Sequence, residues 1–198
     1  KEKIESEVTQ REKKIMKKIK SLLTIRKKKG GRDASGQISV RHQGGEHKRF
    51  LRKIDWKRNK TDIKAKVLSI QYDPNRTADI ALLCYTDGSK SYILAPQKLK
   101  VGDFIISSEK ASIKEGNCLP LGNIPAGIPI HCLEFQPGKG AQLVKAAGSA
   151  AYVQSIDGQK AIIKLPSGEL RFFNIKCKAT IGQLSRADLA NIKLKKAG

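Results

Sequence analysis

The run Arg41-His42-Gln43-Gly44-Gly45-Glu46-His47-Lys48-Arg49 packs three cations, two imidazoles and two consecutive glycines into nine residues. Cations neutralise phosphates, imidazole stacks on bases or donates a hydrogen bond, and glycine lets backbone amides come close to an anion. Asp55-Trp56-Lys57-Arg58-Asn59-Lys60 repeats the pattern with an indole among three cations. Pro137-Gly138-Lys139-Gly140 is a turn whose amides and Lys would seat an anion. It lacks the spacing of a Walker motif, and without an anion it is only a tight turn. Catalysis needs convergent titratable groups, and none is legible. His42 and His47 are five apart, wrong for a zinc pair on a helix face, and His131 sits among apolar neighbours as a structural residue. The four cysteines, Cys84, Cys118, Cys132 and Cys177, form no C-x-x-C and read as ordinary thiols. The expectation is therefore a non-enzyme with no metal site and no cofactor.

The charge balance points the same way. Forty Lys and Arg against eighteen Asp and Glu leave a net charge of +22 on 198 residues. Such a field calls for a partner that supplies counter-charge, and nucleic acid is the commonest, because binding releases its condensed counterions. Residues 1–60 carry +14 of the excess and residues 61–198 carry +8. Lys outnumbers Arg 30 to 10. Phosphate recognition does not require that ratio, since Arg is the better fork; an AT-rich organellar genome would produce it. No run of 18 apolar residues is present, so no membrane-spanning helix is expected.

These residues need elements to hold them. Ile4, Val8, Ile15, Ile19 and Leu22 make a narrow stripe that predicts a basic helix over 1–29, either solvated or docked on RNA or a neighbouring protein. Residues 30–60 read as a basic, extended arm, ordered against its partner. From Ile63 onward, short apolar runs recur between turns, which predicts small β-barrels. Asp87-Gly88 and Asp157-Gly158 each separate two such runs, and Asp-Gly there favours a type I′ hairpin. The Gly- and Pro-bearing stretch 111–129 reads as a connection between two barrels. Ser185-Arg186-Ala187-Asp188 resembles a capping box and predicts a short helix near 186–191.

Several stretches carry a resemblance. G-G-R-D-A-S-G-Q-I-S-V-R-H-Q-G-G-E-H-K-R from Gly30, D-W-K-R-N-K, Y-D-P-N-R-T-A-D-I-A-L-L, Y-I-L-A-P, G-N-C-L-P-L-G-N-I-P-A-G, P-G-K-G-A-Q-L and L-P-S-G-E-L-R occur in this order. Together they resemble the family of universal large-ribosomal-subunit protein number two, from about Gly31 to Gly198. The resemblance implies a mainly β chain: an OB-fold barrel near 61–110 and an SH3-like barrel near 111–183, preceded by the basic helix and extended arm and followed by a terminal segment, 184–198. It implies binding to large-subunit rRNA beside neighbouring ribosomal proteins, with a role in subunit association and the peptidyl-transferase region. Mg2+ would enter only as part of the rRNA structure. Matched by position, the RNA-contact candidates in the arm are Arg32, Arg41, His42, Gly44, Gly45, His47, Lys48, Arg49, Lys57, Arg58 and Lys60. In the barrels they are Asn75, Arg76, Asn117, Asn123, Lys139, Gly140 and Arg171. Asn75 is equally a turn residue, Asn117 and Asn123 equally cap local backbone, and Arg171 equally faces water.

The sequence departs from the family's pattern in three places. Glu46 stands where a third glycine is usual, residues 1–29 do not match the usual arm, and the sequence stops at Lys195-Lys196-Ala197-Gly198, where the family continues into a basic, glycine-rich tail. The expectation is a split protein whose tail is a separate polypeptide, which favours a mitochondrial over a plastid ribosome. Two other classes compete: a barrel-type translation factor or RNA chaperone, and a membrane-surface protein anchored through 1–29. The narrow stripe without Trp or Phe makes the membrane reading the weakest.

Overall fold

Apolar runs rich in Val, Ile and Leu, broken every few residues by Gly or Asp, fold into short antiparallel strands in the computed structural model of the chain. The structure describes residues 19–25, 29–43 and 49–192. The chain divides into two units, Lys1–Lys53 and Ile54–Gly198.

In the first unit a 3₁₀ turn, Lys20–Leu22, leads into strand β1 (Leu23–Ile25), which pairs antiparallel with β2 (Phe50–Arg52). The helix expected over 1–29 therefore does not run through residues 20–25; residues 1–18 lie outside the described residues. Leu22-Leu23-Thr24-Ile25 is apolar and partly β-branched, and the ladder on Phe50–Arg52 satisfies its backbone groups. The stripe counted spacing and missed this competition. In the described part of the arm, residues 29–43 form a set of turns, whereas Phe50–Arg52 is extended in β2. Ser39 and Val40 donate backbone N–H groups to Gly31 O at 2.9 and 3.0 Å. The Asp33 carboxylate accepts from Ser35 N, Ser35 Oγ and Gln37 N. A Cβ on Gly31 would lie 2.1 Å from Val40 O, so the turn requires glycine there.

The second unit carries both barrels. The first is a four-stranded sheet in the order β5-β4-β3-β6, with β3 Ala65–Gln71, β4 Ile80–Tyr85, β5 Lys90–Leu94 and β6 Phe104–Ile105. A register shift between Val67 and Ser69 bends β3, as a bulge does. Ala65, Val67, Ala81, Leu83, Ile93 and Ile105 fill its core. Burying a large aliphatic side chain contributes about 1.5–3 kcal/mol, so these alternating positions supply the sheet's main stabilisation.

The second barrel contains a six-stranded sheet in the order β13-β12-β11-β8-β14-β7. Its strands are β7 (Cys118–Pro120), β8 (Pro129–His131), β11 (Ala151–Asp157), β12 (Lys160–Lys164), β13 (Leu170–Asn174) and β14 (Lys178–Ile181). Between β8 and β11, the pair β9 (Leu133–Glu134) and β10 (Ala141–Leu143) forms a separate two-stranded sheet. Leu119, Ile130, Leu133, Val153, Ile163 and Phe173 are buried in its core.

Both Asp-Gly hairpins form, but with other turn types. At 85–89 only Gly88 has positive φ, and Tyr85 N–H bonds Ser89 O at 2.9 Å. This is a three-residue loop closed by a left-handed glycine. At 157–160 Gly158 alone has positive φ, at the first central position, in the manner of type II′. Asp87 is freed to accept from Ser89 instead.

The barrels are stitched edge to edge. Pro96 bridges Leu184, Ser107 bridges Cys118, and Gln97 N–H bonds Gln183 O at 2.8 Å. Ser185 Oγ accepts Asp79 N–H at 3.0 Å across the seam. That use explains why the expected capping box does not form: Ala187–Asn191 is a 3₁₀ turn, Arg186 is left-handed at φ 60, and no side chain caps it.

Candidate nucleic-acid interface

A strap, residues 54–58, crosses the seam of the two barrels. On the first barrel, Asp55 N–H bonds Tyr92 O at 2.8 Å. On the second, Trp56 O accepts Ala141 N–H at 2.9 Å. Asp55 Oδ1 accepts Arg58 N–H and sets the bend, with Arg58 at φ 49. Trp56 is thereby held half-buried at the seam.

Two cations converge on its ring. The Arg76 guanidinium lies 4.9 Å and the Lys145 ammonium 5.0 Å from the ring centroid. Each contact is worth about 0.5–1 kcal/mol at an exposed site. The mutual repulsion of two cations sharing one ring is of similar size. Arg76 is set by the turn before it: buried Asp73 accepts Asn75 N–H at 3.0 Å and pairs with Arg76 Nε at 3.4 Å. Ala147 N–H bonds Thr77 Oγ1, tying the loop of Lys145 to the same turn. Beyond it, Arg186 lies 5.6 Å over the exposed Tyr72 ring. Lys57 and the exposed Lys139 border the cluster, because Gly140 packs against Trp56 and Lys57; a Cβ there would meet Lys57 Cγ at 3.2 Å.

The turn at 137–140 differs from its sequence reading. Gly138 and Gly140 donate their amides to the buried Glu134 carboxylate at 3.3 and 3.0 Å, and Lys139 N–H bonds Gln136 O. Lys178 N–H adds a third bond to Glu134, at 3.0 Å. The anion seated by these amides is the chain's own side chain, so the turn presents the Lys139 side chain outward while Gly140 is buried scaffold.

The other sequence candidates separate. Arg32, Arg41, His42 and Arg49 are exposed in the first unit, with Arg32 bonded to Gly36 O at 3.1 Å. Gly44, Gly45, His47 and Lys48 lie outside the described residues. Arg58 and Asn117 are interior. Arg58 is 6% exposed and points to Gly116 O. Asn117, 2% exposed, accepts Ile106 N–H and donates to Ser112 O. Both hold the seam rather than face outward, because their polar groups satisfy backbone that the joined barrels exclude from water. Lys60 clamps the first hairpin: it bonds Asp87 and Ser89 and sits 4.8 Å over the Tyr85 ring. That bonding holds the Asp87 carboxyl down at about 2. Asn75 shapes the Asp73 turn, Asn123 donates to Glu109 O, and Arg171 forms an exposed pair with Glu169. Sequence reasoning missed Lys145, Arg186 and Tyr72, which are remote from the basic runs; only folding brings them to one face.

His131 is structural. It is buried, and its Nδ1 donates to Gly182 O at 2.7 Å. Burial, opposed by that hydrogen bond and aided by the Arg58 charge, pushes its pKa down from 6.5 to about 4. Between these values the unfolded chain takes up a proton that the folded protein refuses. Stability is therefore fully present above the ordinary imidazole value and declines as pH falls through it, by roughly 3 kcal/mol once pH is below the folded value. Urea unfolding between pH 8 and 4 should show this decline, and His131→Asn should remove its imidazole component. A variant with the wild-type pH profile would assign the decline elsewhere.

Among the described residues no group of His, Cys, Asp and Glu could hold a metal ion, and no helix is long and apolar enough to cross a membrane. Two family models match the chain. One, described as Ribosomal Proteins L2, RNA binding N-terminal domain, covers residues 19–107. The other, Ribosomal Proteins L2, C-terminal domain, covers residues 114–198. They fit the two barrels, an OB-fold followed by an SH3-like fold. That family consists of structural RNA-binding proteins rather than enzymes. The chain belongs to the ribosomal protein L2 family, RNA-binding proteins of the large ribosomal subunit.

Proposed function

We propose that the chain binds and positions rRNA through two surfaces, the basic arm of residues 30–60 and the Trp56 cluster at the barrel seam, and so supports subunit association and the peptidyl-transferase region. We divide its working parts as arm 30–60, first barrel 61–110, second barrel 111–183 and terminal segment 184–198. The observation that carries this reading is the convergence of Arg76 and Lys145 on one indole, bordered by Lys57 and Lys139. Repelling cations are gathered where a polyanion offsets their repulsion. In the arm, Arg32, Arg41, His42, Gly44, Gly45, His47, Lys48 and Arg49 form the contact set. Lys60 and Arg171 are secondary, since their charges are partly spent on Asp87 and Glu169. No cofactor is required beyond the Mg2+ that rRNA itself binds. The 30-to-10 excess of Lys over Arg supports an organellar ribosome.

Affinity for an rRNA fragment should fall steeply with salt, by about 0.7–0.9 in log K per phosphate for each decade. Replacing both Arg41 and Arg49 with Ala should flatten that slope by about 1.4–1.8. An unchanged slope would remove the arm from the interface. Co-sedimentation with large subunits through high salt separates this reading from a cycling translation factor, which would be released.

A further inference from the structure

A groove of about 500 Å³ opens where the end of the first barrel meets β7 and β14 of the second, away from the Trp56 ring. That volume falls within the roughly 300–1,000 Å³ of small-ligand clefts. Pro120 and Ile175 supply an apolar wall, and Thr61, Ser108, Asn123, Lys176 and Lys178 supply a polar rim. The rim is built rather than incidental. Asn123 is fixed by its Nδ2 bond to Glu109 O at 2.7 Å, which leaves its amide oxygen to accept. Lys176 and Lys178 are anchored at their backbones, by Asn174 Oδ1 at 2.9 Å and by Glu134 at 3.0 Å. Among the described residues, neither ammonium has an ion-pair partner.

We propose that this groove takes one unpaired nucleotide extruded from bound RNA, its base against Pro120 and Ile175 and its flanking phosphates on Lys176 and Lys178. The proposal rests on the RNA-binding reading above and adds a site to it. RNA recognition by proteins relies on splayed bases that reach apolar walls and hydrogen-bonding groups. A bare anion would have no use for the apolar wall and would be repelled by Glu109, which also lines the groove. A nucleotide uses all of these, because base amines can donate to Glu109 and to the Asn123 amide oxygen.

The test uses the full chain and two RNA hairpins, identical except that one carries a single bulged 2-aminopurine. The bulged hairpin should bind about tenfold tighter, the worth of one or two added hydrogen bonds, and its fluorescence should rise as the base leaves the stack. Two variants probe the groove. Gly122→Leu fills it from the Ile175 side; its Cβ meets Ile175 Cβ at 3.4 Å, an ordinary contact, so the backbone is not strained. Lys176→Gln removes a rim charge without touching the core. Both should lose the preference for the bulge while still binding the unbulged hairpin. Equal affinities in the wild type, or a preference that persists in both variants, would overturn the groove assignment alone. Failure to bind either hairpin at about 0.1 M salt, where phosphate contacts dominate, would overturn the RNA-binding reading and the groove with it.

Discussion

Glu134→Ala is expected to lower stability by about 3 kcal/mol, because one buried and two partly buried amides would lose a charged acceptor. Glu134 is 2% exposed, and its carboxylate accepts from Gly138, Gly140 and Lys178. A hydrogen bond to a charged group contributes about 1.5–3 kcal/mol, and an orphaned buried donor costs a similar amount. The full sum is not expected, since water can enter at the exposed turn. Glu134→Gln retains one carbonyl acceptor but turns an NH2 group towards the amides, so it should recover about half of the loss. Urea unfolding measures both. Amide exchange at Gly138 and Gly140 should accelerate in the alanine variant while Val67 and Leu83, in the other barrel, stay protected. A loss below about 1 kcal/mol would mean that water replaces the carboxylate without penalty.

That residue shows where sequence reading stops. In Glu134-Phe135-Gln136-Pro137-Gly138-Lys139-Gly140 the glycines and lysine advertise an anion site, and the anion is the acid four residues before the first glycine. Nothing in the spacing separates an external phosphate from an internal carboxylate, because both satisfy the same amides. The strands were more legible, since alternation and Asp-Gly turns are local signals. The turn types were not. They follow the register of the flanking strands, which Asp-Gly alone does not set: Asp157 pairs with Lys160, whereas Tyr85 is closed by Ser89. Arg58 and Asn117 looked like surface contacts because charge and amide groups are mostly exposed. They are interior because joining two barrels excludes backbone groups from water, and those groups then need partners. Trp56 and its neighbour Lys57 were readable in place. The approach of Arg76 and Lys145, some 20 and 90 residues away in sequence, is a product of the seam.

The combined replacement Arg76→Ala and Lys145→Ala should weaken binding to an rRNA fragment by about 25- to 60-fold at 0.1 M salt. The estimate follows from counterion release. Removing one phosphate interaction reduces the slope of log K against log salt by about 0.7 for single strands and 0.9 for duplex. Electrostatic binding largely vanishes near 1 M salt, so each such interaction is worth roughly five- to eightfold one decade lower. Arg76→Ala also takes the cation away from buried Asp73, so the double variant should lose about 1–3 kcal/mol of stability, read by urea unfolding beside the binding titration. Trp56→Leu separates platform from charge: both cations stay, no longer held by the ring, so affinity should fall by only a few-fold with the salt slope preserved. Salt titrations of wild type and the two variants resolve these components. If the double variant keeps the wild-type slope, the cations at the seam do not meet phosphate. If Trp56→Leu flattens the slope as much as the double variant does, the ring itself is what brings the charges to the RNA.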